Sequence, residues 1–241
     1  MLAPVSPSCN PTPSMSFSMN HSILLPHSIE SVFHVLSDST EMERLQRLTP
    51  EAQQFAILKQ DFVTLPDDTL ASLKPGGQSL PASCPRPREL PSNSSYSKDP
   101  DSTEINPTGT LRTFPRTYFE FSGTVPILFG LMHRPLSVSG AQIVDEEAKV
   151  VLFESGVAAS GIKEVKLRTF RAVEDPNESD SDKDDGEIGR TDRWTEVKEH
   201  VWGTCPFGLS LLLKALAPKV HREHMELYHK LFETPTVSAD I

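Results

Sequence analysis

The distribution of proline constrains this chain most, because proline fixes φ and removes a backbone hydrogen-bond donor. Of 21 prolines, four lie in residues 1–18 and nine in residues 66–115. The first segment is a Pro/Ser-rich tail, a composition that favours disorder. Residues 66–112 show no periodic apolar pattern and are expected to form a flexible insertion. A third interruption, residues 174–192, is rich in acidic residues and predicts a solvated loop.

The remaining pieces, 19–65, 113–174 and 192–233, together contain 151 residues. This is the size of one ordinary domain. We therefore expect the three pieces to fold together as a single domain spanning residues 19–233, interrupted by the insertion and the acidic loop.

Charge and cysteine usage limit the class of protein. The net charge is −10 without any basic cluster, which argues against a nucleic-acid partner. Cys9, Cys84 and Cys205 lie far apart without C-x-x-C spacing, which is typical of reduced thiols in the cytoplasm. The first residues lack the basic and apolar regions of a secretory signal, and no apolar run approaches the length of a membrane span. We therefore expect a soluble cytoplasmic protein without a transmembrane segment.

The order of the predicted elements indicates an α+β fold. "MNHSILLP" predicts a strand, Ser28 is a suitable N-cap for a helix over "IESVFHVLSD", and "STEMERLQRL" predicts a second helix. β-branched and aromatic residues then predict antiparallel strands in "QQFAILKQDFVTL", "RTYFEFSGTVPILFG", "LSVSGAQIVDEEAKVVLFESG", "IKEVKLRTFRAVE" and "RWTEVKEHVWGT". A long helix is expected after Pro206. Helices at both ends of the chain and strands in the middle define the α+β class.

Three stretches carry a resemblance to a known superfamily: the opening "HSILLPHSIESVFHVLSD", the meander from Arg116 to Thr204, and "CPFGLSLLLKALAPKVHREHMELYHKLF". This order of elements resembles the START, birch-pollen-allergen and polyketide-cyclase-like (SRPBCC) superfamily. The resemblance implies a helix-grip fold, in which a curved antiparallel sheet wraps around a long C-terminal helix and leaves an internal cavity. The superfamily shares no motif whose residues carry over to this chain.

A cavity is also expected on physical grounds, because one helix does not fill a strongly curved sheet, and apolar pockets are the usual small-molecule sites. The candidate lining residues are large and apolar: Tyr118, Phe119, Phe121, Ile127, Phe129, Leu131, Phe153, Trp202, Leu209, Leu213, Leu216 and Val220. The alternative is that the same side chains pack on one another and close the pocket.

The C-terminal helix contains three histidines whose role depends on its phase. At about 100° per residue, the leucines and valines form one stripe expected to face the sheet, and His224 falls at its edge. His221 and His229 lie elsewhere on the helix, and the HExxH order is absent, so we expect neither a metal site nor a cofactor. Pro218 either kinks this helix or begins its second half.

Glu199 is the charged residue on a strand face that it shares with Val197 and Val201. If this face points inward, Glu199 is a buried carboxyl with a raised pKa, suited to acid–base catalysis. Alternatively, the face points outward, or Glu199 pairs with Arg168 or Arg171 of the neighbouring strand. Arg168 alternates with apolar residues and is itself expected on the exterior.

Three functions remain open. The first is binding of a small hydrophobic or aromatic molecule, a lipid or a secondary metabolite, with Glu199 and His224 as orienting or catalytic groups. The resemblance to polyketide cyclases implies the second, a cofactor-independent cyclase- or lyase-like accessory enzyme of secondary metabolism. The third is a protein-interaction module that uses the acidic loop and the insertion. The sequence leaves open whether the protein is an enzyme.

Overall fold

Seven strands form one sheet in the computed structural model, which describes residues 14–49, 52–66, 70, 110–127, 132–157, 159–174 and 194–233. The strands are β1 (Ser14–Leu25), β2 (Ala52–Pro66), β3 (Leu111–Ile127), β4 (Met132–Asp145), β5 (Val150–Val157), β6 (Ile162–Val173) and β7 (Trp194–Pro206). The helices are α1 (Ile29–Ser37), α2 (Ser39–Leu48), α3 (Ser210–Glu226) and α4 (Tyr228–Phe232). The predicted α+β class is confirmed.

Strands β2 to β7 form an antiparallel meander, and β1 is added to the sheet beside β7. Its strand order is β1-β7-β6-β5-β4-β3-β2, so each strand from β2 to β7 pairs with the next along the chain. β1 pairs with β7, which brings the start of the chain beside its last strand. Irregular register along β2 accompanies the bending of the sheet at its opposite edge. Strands from all three sequence pieces therefore share one sheet.

Short polar side chains begin the two N-terminal helices. The Ser28 hydroxyl accepts a hydrogen bond from the Ser31 amide at 3.4 Å, as its predicted N-cap position requires. Asp38 ends α1 and caps α2, accepting from the Thr40 amide at 2.6 Å. Arg44 of α2 donates to backbone carbonyls at the end of α4, including that of Leu231 at 3.2 Å. The helices are thus fixed to one another over the same face of the sheet.

The two faces of the sheet bury different side chains. The inner face carries the helices, and its core includes Phe33 of α1, Phe153 of β5 and Tyr228 of α4. The outer face has its own buried cluster, which includes Trp202, Leu167 and Leu70. Alternation along a strand therefore places successive residues in two separate cores.

The structure corrects the boundaries of the predicted flexible segments. β1 begins at Ser14, inside the predicted tail, because its first residues pair with the end of β7. β2 reaches Pro66 and β3 begins at Leu111, so both ends of the predicted insertion belong to strands. The other parts of the tail and insertion, and the acidic loop beyond Glu174, lie outside the described residues. Among the helices described, none is long and apolar enough to cross a membrane.

Candidate functional site

A pocket of about 140 Å³ lies between the helices and the inner face of β3 to β6. Its apolar wall consists of Val35, Leu36, Met42, Leu45, Phe119, Phe121, Val138, Phe153 and Leu231. Its polar wall consists of Glu41, Gln46, Ser155, Glu164, Lys166, Arg168 and His224. The pocket therefore combines an aromatic surface with titratable groups.

The register of β5 and β6 produces this combination. Phe153 lies directly opposite Lys166, and Ser155 lies opposite Glu164. Because side chains two residues apart share a face, Glu164, Lys166 and Arg168 all point to the inner side of the sheet. A row of charged residues on β6 thus faces the pocket beside the aromatic ring of Phe153.

A buried hydrogen-bonded network lies next to the pocket, centred on Glu199. Arg168 Nε donates to Glu199 Oε1 at 2.6 Å, and the Tyr228 hydroxyl donates to the same oxygen at 2.6 Å. The other Arg168 nitrogens donate to the Tyr228 oxygen and to the Leu36 carbonyl, each at 2.6 Å. One arginine therefore joins β6, β7, α1 and α4. The predicted exterior position of Arg168 is wrong, since its side chain is 3% exposed.

Glu199 lies on the inner face and is fully buried, but its predicted raised pKa is wrong. Burial alone raises the pKa of this carboxyl, yet Lys166 and Arg168 outweigh burial and hold the pKa well below its usual range. The pairing with Arg168, the alternative drawn from the sequence, is what the structure contains. An ionised carboxylate held by two short hydrogen bonds is suited to positioning Arg168 and Tyr228 and is a weak proton acceptor.

Lys166 and Glu164 are pocket residues that the sequence analysis did not single out. Burial lowers the pKa of the Lys166 ammonium, and burial raises the pKa of the Glu164 carboxyl. The Lys166 nitrogen lies 4.4 Å from the centre of the Phe153 ring. The alternation of apolar and charged residues along β6 did not identify these pocket residues. Leu167 on the outer face is also buried, so the more hydrophobic face of the strand is not the one that faces the pocket.

His224 lines the pocket, although the apolar stripe at whose edge it lies faces outward at Leu216 and Val220. Its Nδ1 lies 3.4 Å from the Thr49 hydroxyl, and its ring stands edge-to-face with Tyr228. Burial, together with the charge of Lys166, lowers the pKa of His224 to about 3. The imidazole is therefore neutral near pH 7 and can orient a polar group as a hydrogen-bond donor or acceptor.

His221 lies beside the Glu199 network and does not line the pocket. Its Nε2 lies 3.3 Å from Glu199 Oε2, and its ring centre lies 5.3 Å from that of His21. Burial lowers the pKa of His221 to about 4 despite the nearby carboxylate. Within the described part of the chain, no group of three or more His, Cys, Asp or Glu side chains could hold a metal ion.

Three of the predicted lining aromatics, Phe119, Phe121 and Phe153, line the pocket, whereas Tyr118 and Trp202 do not. Phe121 and Phe153 form part of its wall, and their contact with a ligand stays a prediction. Tyr118 and Trp202 point to the outer face of the sheet, because each is one residue away from an inner-face position. Their assignment to the pocket is therefore corrected. Phe129 and Leu131 lie outside the described residues.

The predicted residues of α3 do not reach the pocket either. Leu216 is 49% exposed and Val220 is 60% exposed, so the expected inward stripe faces outward there. Leu213 packs against the cluster of Phe17, Val201 and Cys205 at the far end of β7, and the half-buried Leu209 lies outside the pocket wall. The helix continues through Pro218 and turns its histidine-bearing side towards the sheet.

The seven-stranded meander completed by β1, with helices packed across its inner face over a cavity, is a helix-grip fold. This confirms the fold implied by the order of elements. No protein-family model matches the sequence, and no curated protein matches it.

Solved structures of similar architecture include two enzymes. The ZhuI aromatase/cyclase from Streptomyces sp. R1128 aligns over 90% of this chain and 93% of its own, with 7% identity and a TM-score of 0.49. Norcoclaurine synthase from Thalictrum flavum aligns over 96% and 98%, with 10% identity and a TM-score of 0.46. An uncharacterised protein from Rhizobium leguminosarum aligns over 91% and 99%, with 11% identity and a TM-score of 0.39.

Proposed function

We propose that this protein binds a small apolar or aromatic molecule in the pocket on the inner face of the sheet. The observation that carries the proposal is the wall of Phe119, Phe121 and Phe153, with Lys166 and His224 among them. A mostly apolar cavity with a few polar groups is the usual form of a small-molecule site. The aromatic rings bury the apolar part of the ligand, and the polar groups fix its orientation.

The volume of the pocket limits the buried part of the ligand to about one aromatic ring. A cavity close to 140 Å³ is similar in size to apolar cavities that accept benzene. Burying about 150 Å² of ring surface contributes about 4 kcal/mol before the entropic costs of binding. Affinity beyond the millimolar range therefore requires polar contacts with the wall.

A cavity-filling substitution tests this proposal. Val138→Trp places an indole in the pocket, whereas Ser137→Trp places one on the exposed opposite side of the same strand. We expect binding of benzamide or indole, followed by saturation-transfer NMR, to weaken at least about tenfold in Val138→Trp and to change little in Ser137→Trp. Absence of binding to the unmodified protein, or equal binding to both variants, would contradict the proposal.

A second candidate function is cofactor-independent proton transfer, as in a cyclase-like accessory enzyme of secondary metabolism. Glu164 and Lys166 favour it, since both line the pocket and burial displaces their pKa values in opposite directions. Paired groups of this kind can supply an acid and a base near neutral pH. Glu164 would donate a proton, and the unprotonated amine of Lys166 would accept one.

Ring opening of a nitrobenzisoxazole tests the base. Lys166 would remove the ring C–H proton, the C–H electron pair would form the nitrile, and the N–O bond would break to release a cyanophenolate. We expect Lys166→Met to lose the rate in excess of that in buffer alone, while Lys163→Met, at an exposed position on the outer face of β6, keeps it. An equal rate in Lys166→Met, or no rate with the unmodified protein, would exclude Lys166 as this base.

We also propose a small molecule as the partner in preference to a nucleic acid, and the cytoplasm as the location. The net charge of −10 and the free, buried thiol of Cys205 support these assignments. Secretion of a fluorescent-protein fusion from its host cell would contradict the location.

A further inference from the structure

Lys166 is a largely buried cation whose nearest carboxylate, that of Glu199, is shared with Arg168. Its nitrogen lies 3.7 Å from Glu199 Oε1, beyond hydrogen-bond length, and no other carboxylate of the described residues lies within 4 Å. That oxygen already accepts hydrogen bonds from Arg168 and Tyr228. The Lys166 side chain is 17% exposed and lines the pocket, so its donors are available to a ligand.

The charges around the pocket do not balance Lys166. Glu199 is matched by Arg168, which contacts it directly. Burial raises the pKa of the Glu164 carboxyl, which favours its neutral form. Glu41 at the helical side of the pocket pairs with Arg44 at 3.2 Å. When Lys166 is protonated and Glu164 is neutral, Lys166 and Arg168 share the single negative charge of Glu199, so an anion beside Lys166 balances the charge of the polar wall.

The neighbourhood of Lys166 also fixes where a ring would lie. Its nitrogen is 4.4 Å from the centre of the Phe153 ring, and Phe119 and Phe121 continue the same aromatic wall on β3. A negatively charged oxygen beside Lys166 brings the ring that carries it against these phenylalanines. One ligand thus places a negative charge beside Lys166 and fills the apolar part of the pocket.

We propose that the ligand is an aromatic anion, a single ring with a carboxylate or phenolate oxygen that pairs with Lys166. This inference rests on the proposed small-molecule function and names its ligand class. The ring is buried against Phe119, Phe121 and Phe153, and Lys166 selects the anion over its neutral counterpart.

Two pairs of probes of matched shape test the inference. Benzoate is compared with benzamide, and para-nitrophenolate with its methyl ether, each titrated by NMR into the full-length protein. We expect at least one anion to bind about tenfold more tightly than its neutral partner, and the pair that shows the preference identifies carboxylate or phenolate. Lys166→Met and Lys166→Gln should remove the preference, whereas Lys163→Met, at an exposed position on the outer face of β6, should retain it.

The outcomes separate this inference from the function on which it rests. If the neutral probes bind as tightly as the anions, the anion assignment is overturned while small-molecule binding stands. If neither member of either pair binds, both are overturned. Retained binding of benzamide by Lys166→Met shows that this variant still forms the pocket, and an anion preference that persists in this variant or in Lys166→Gln overturns the role of Lys166.

Discussion

Glu199 shows how one side chain acquires its chemistry from its neighbours. The alternation of β7 left open whether this carboxyl points inward or outward, and Glu199 is fully buried on the inner face. Its protonation state depends on Arg168, Lys166 and Tyr228, which come from β6 and α4. These cations and the hydroxyl stabilise the ionised form, so the expected catalytic acid is a structural anion that holds two strands and two helices together.

Removing the charge of Glu199 should destabilise the fold strongly. In Glu199→Gln the buried Arg168 loses its counter-ion, and breaking a buried ion pair in this way typically costs about 3 to 5 kcal/mol. The measurement is the free energy of unfolding by urea. Glu196→Gln on the same strand is the matched control, because its partner Arg171 is 73% exposed and such pairs contribute at most about 1 kcal/mol. Equal losses in the two variants would show that the Glu199 network does not stabilise the fold.

Helix α3 shows that the period of an element can be predicted when its orientation is not. Its apolar residues repeat at helical spacing, yet Leu212, Leu216 and Val220 face outward. The side that meets the sheet carries His221 and His224, which lie beside Glu199 and the pocket. The side of the helix that carries the two histidines therefore faces the sheet, and much of the apolar stripe is exposed.

For strand β6, too, the sequence predicted the alternation of residues but not which face of the strand points towards the helices. Its apolar side, with Leu167, was expected to be the inner one, and its charged side the outer one. Both sides are buried because the outer face of the sheet has a core of its own. With two buried faces, the more hydrophobic side of a strand no longer identifies the side that faces the helices.

The two buried histidines should make the folded protein less stable at mildly acidic pH than at neutral pH. Burial lowers the pKa of His221 to about 4 and that of His224 to about 3, whereas the usual value is 6.5. Below about pH 6.5 the unfolded chain binds protons at these two residues that the folded protein does not bind, so their contribution to stability is highest above this pH and falls towards pH 4. The low pKa of Asp61, held down by hydrogen bonding to Arg116 despite burial, adds a further loss below about pH 4.

Urea unfolding at about pH 7 and about pH 5 measures this dependence. We expect each of the two buried histidines to account for about 1 to 2 kcal/mol of the loss. His224→Gln should reduce the loss, and His229→Gln, an exposed change on α4, should leave it intact. An unchanged pH dependence in His224→Gln would contradict the neutral, buried state of this imidazole.

The sequence by itself determined the order of elements and the α+β class, and the resemblance to a known superfamily implied the helix-grip arrangement. The first two properties depend on local periodicity, on caps such as Ser28 and on turn positions, all of which can be read within short segments. Phe121, Phe153 and His224, which were proposed from the sequence, are among the residues that line the pocket, and their roles there stay predictions. Only the tertiary structure decided that Lys166 and Glu164 face the pocket and that Arg168 pairs with Glu199. The pairing of strands and the packing of helices set these contacts, because a charge acquires its partner, its burial and its pKa from residues distant in sequence.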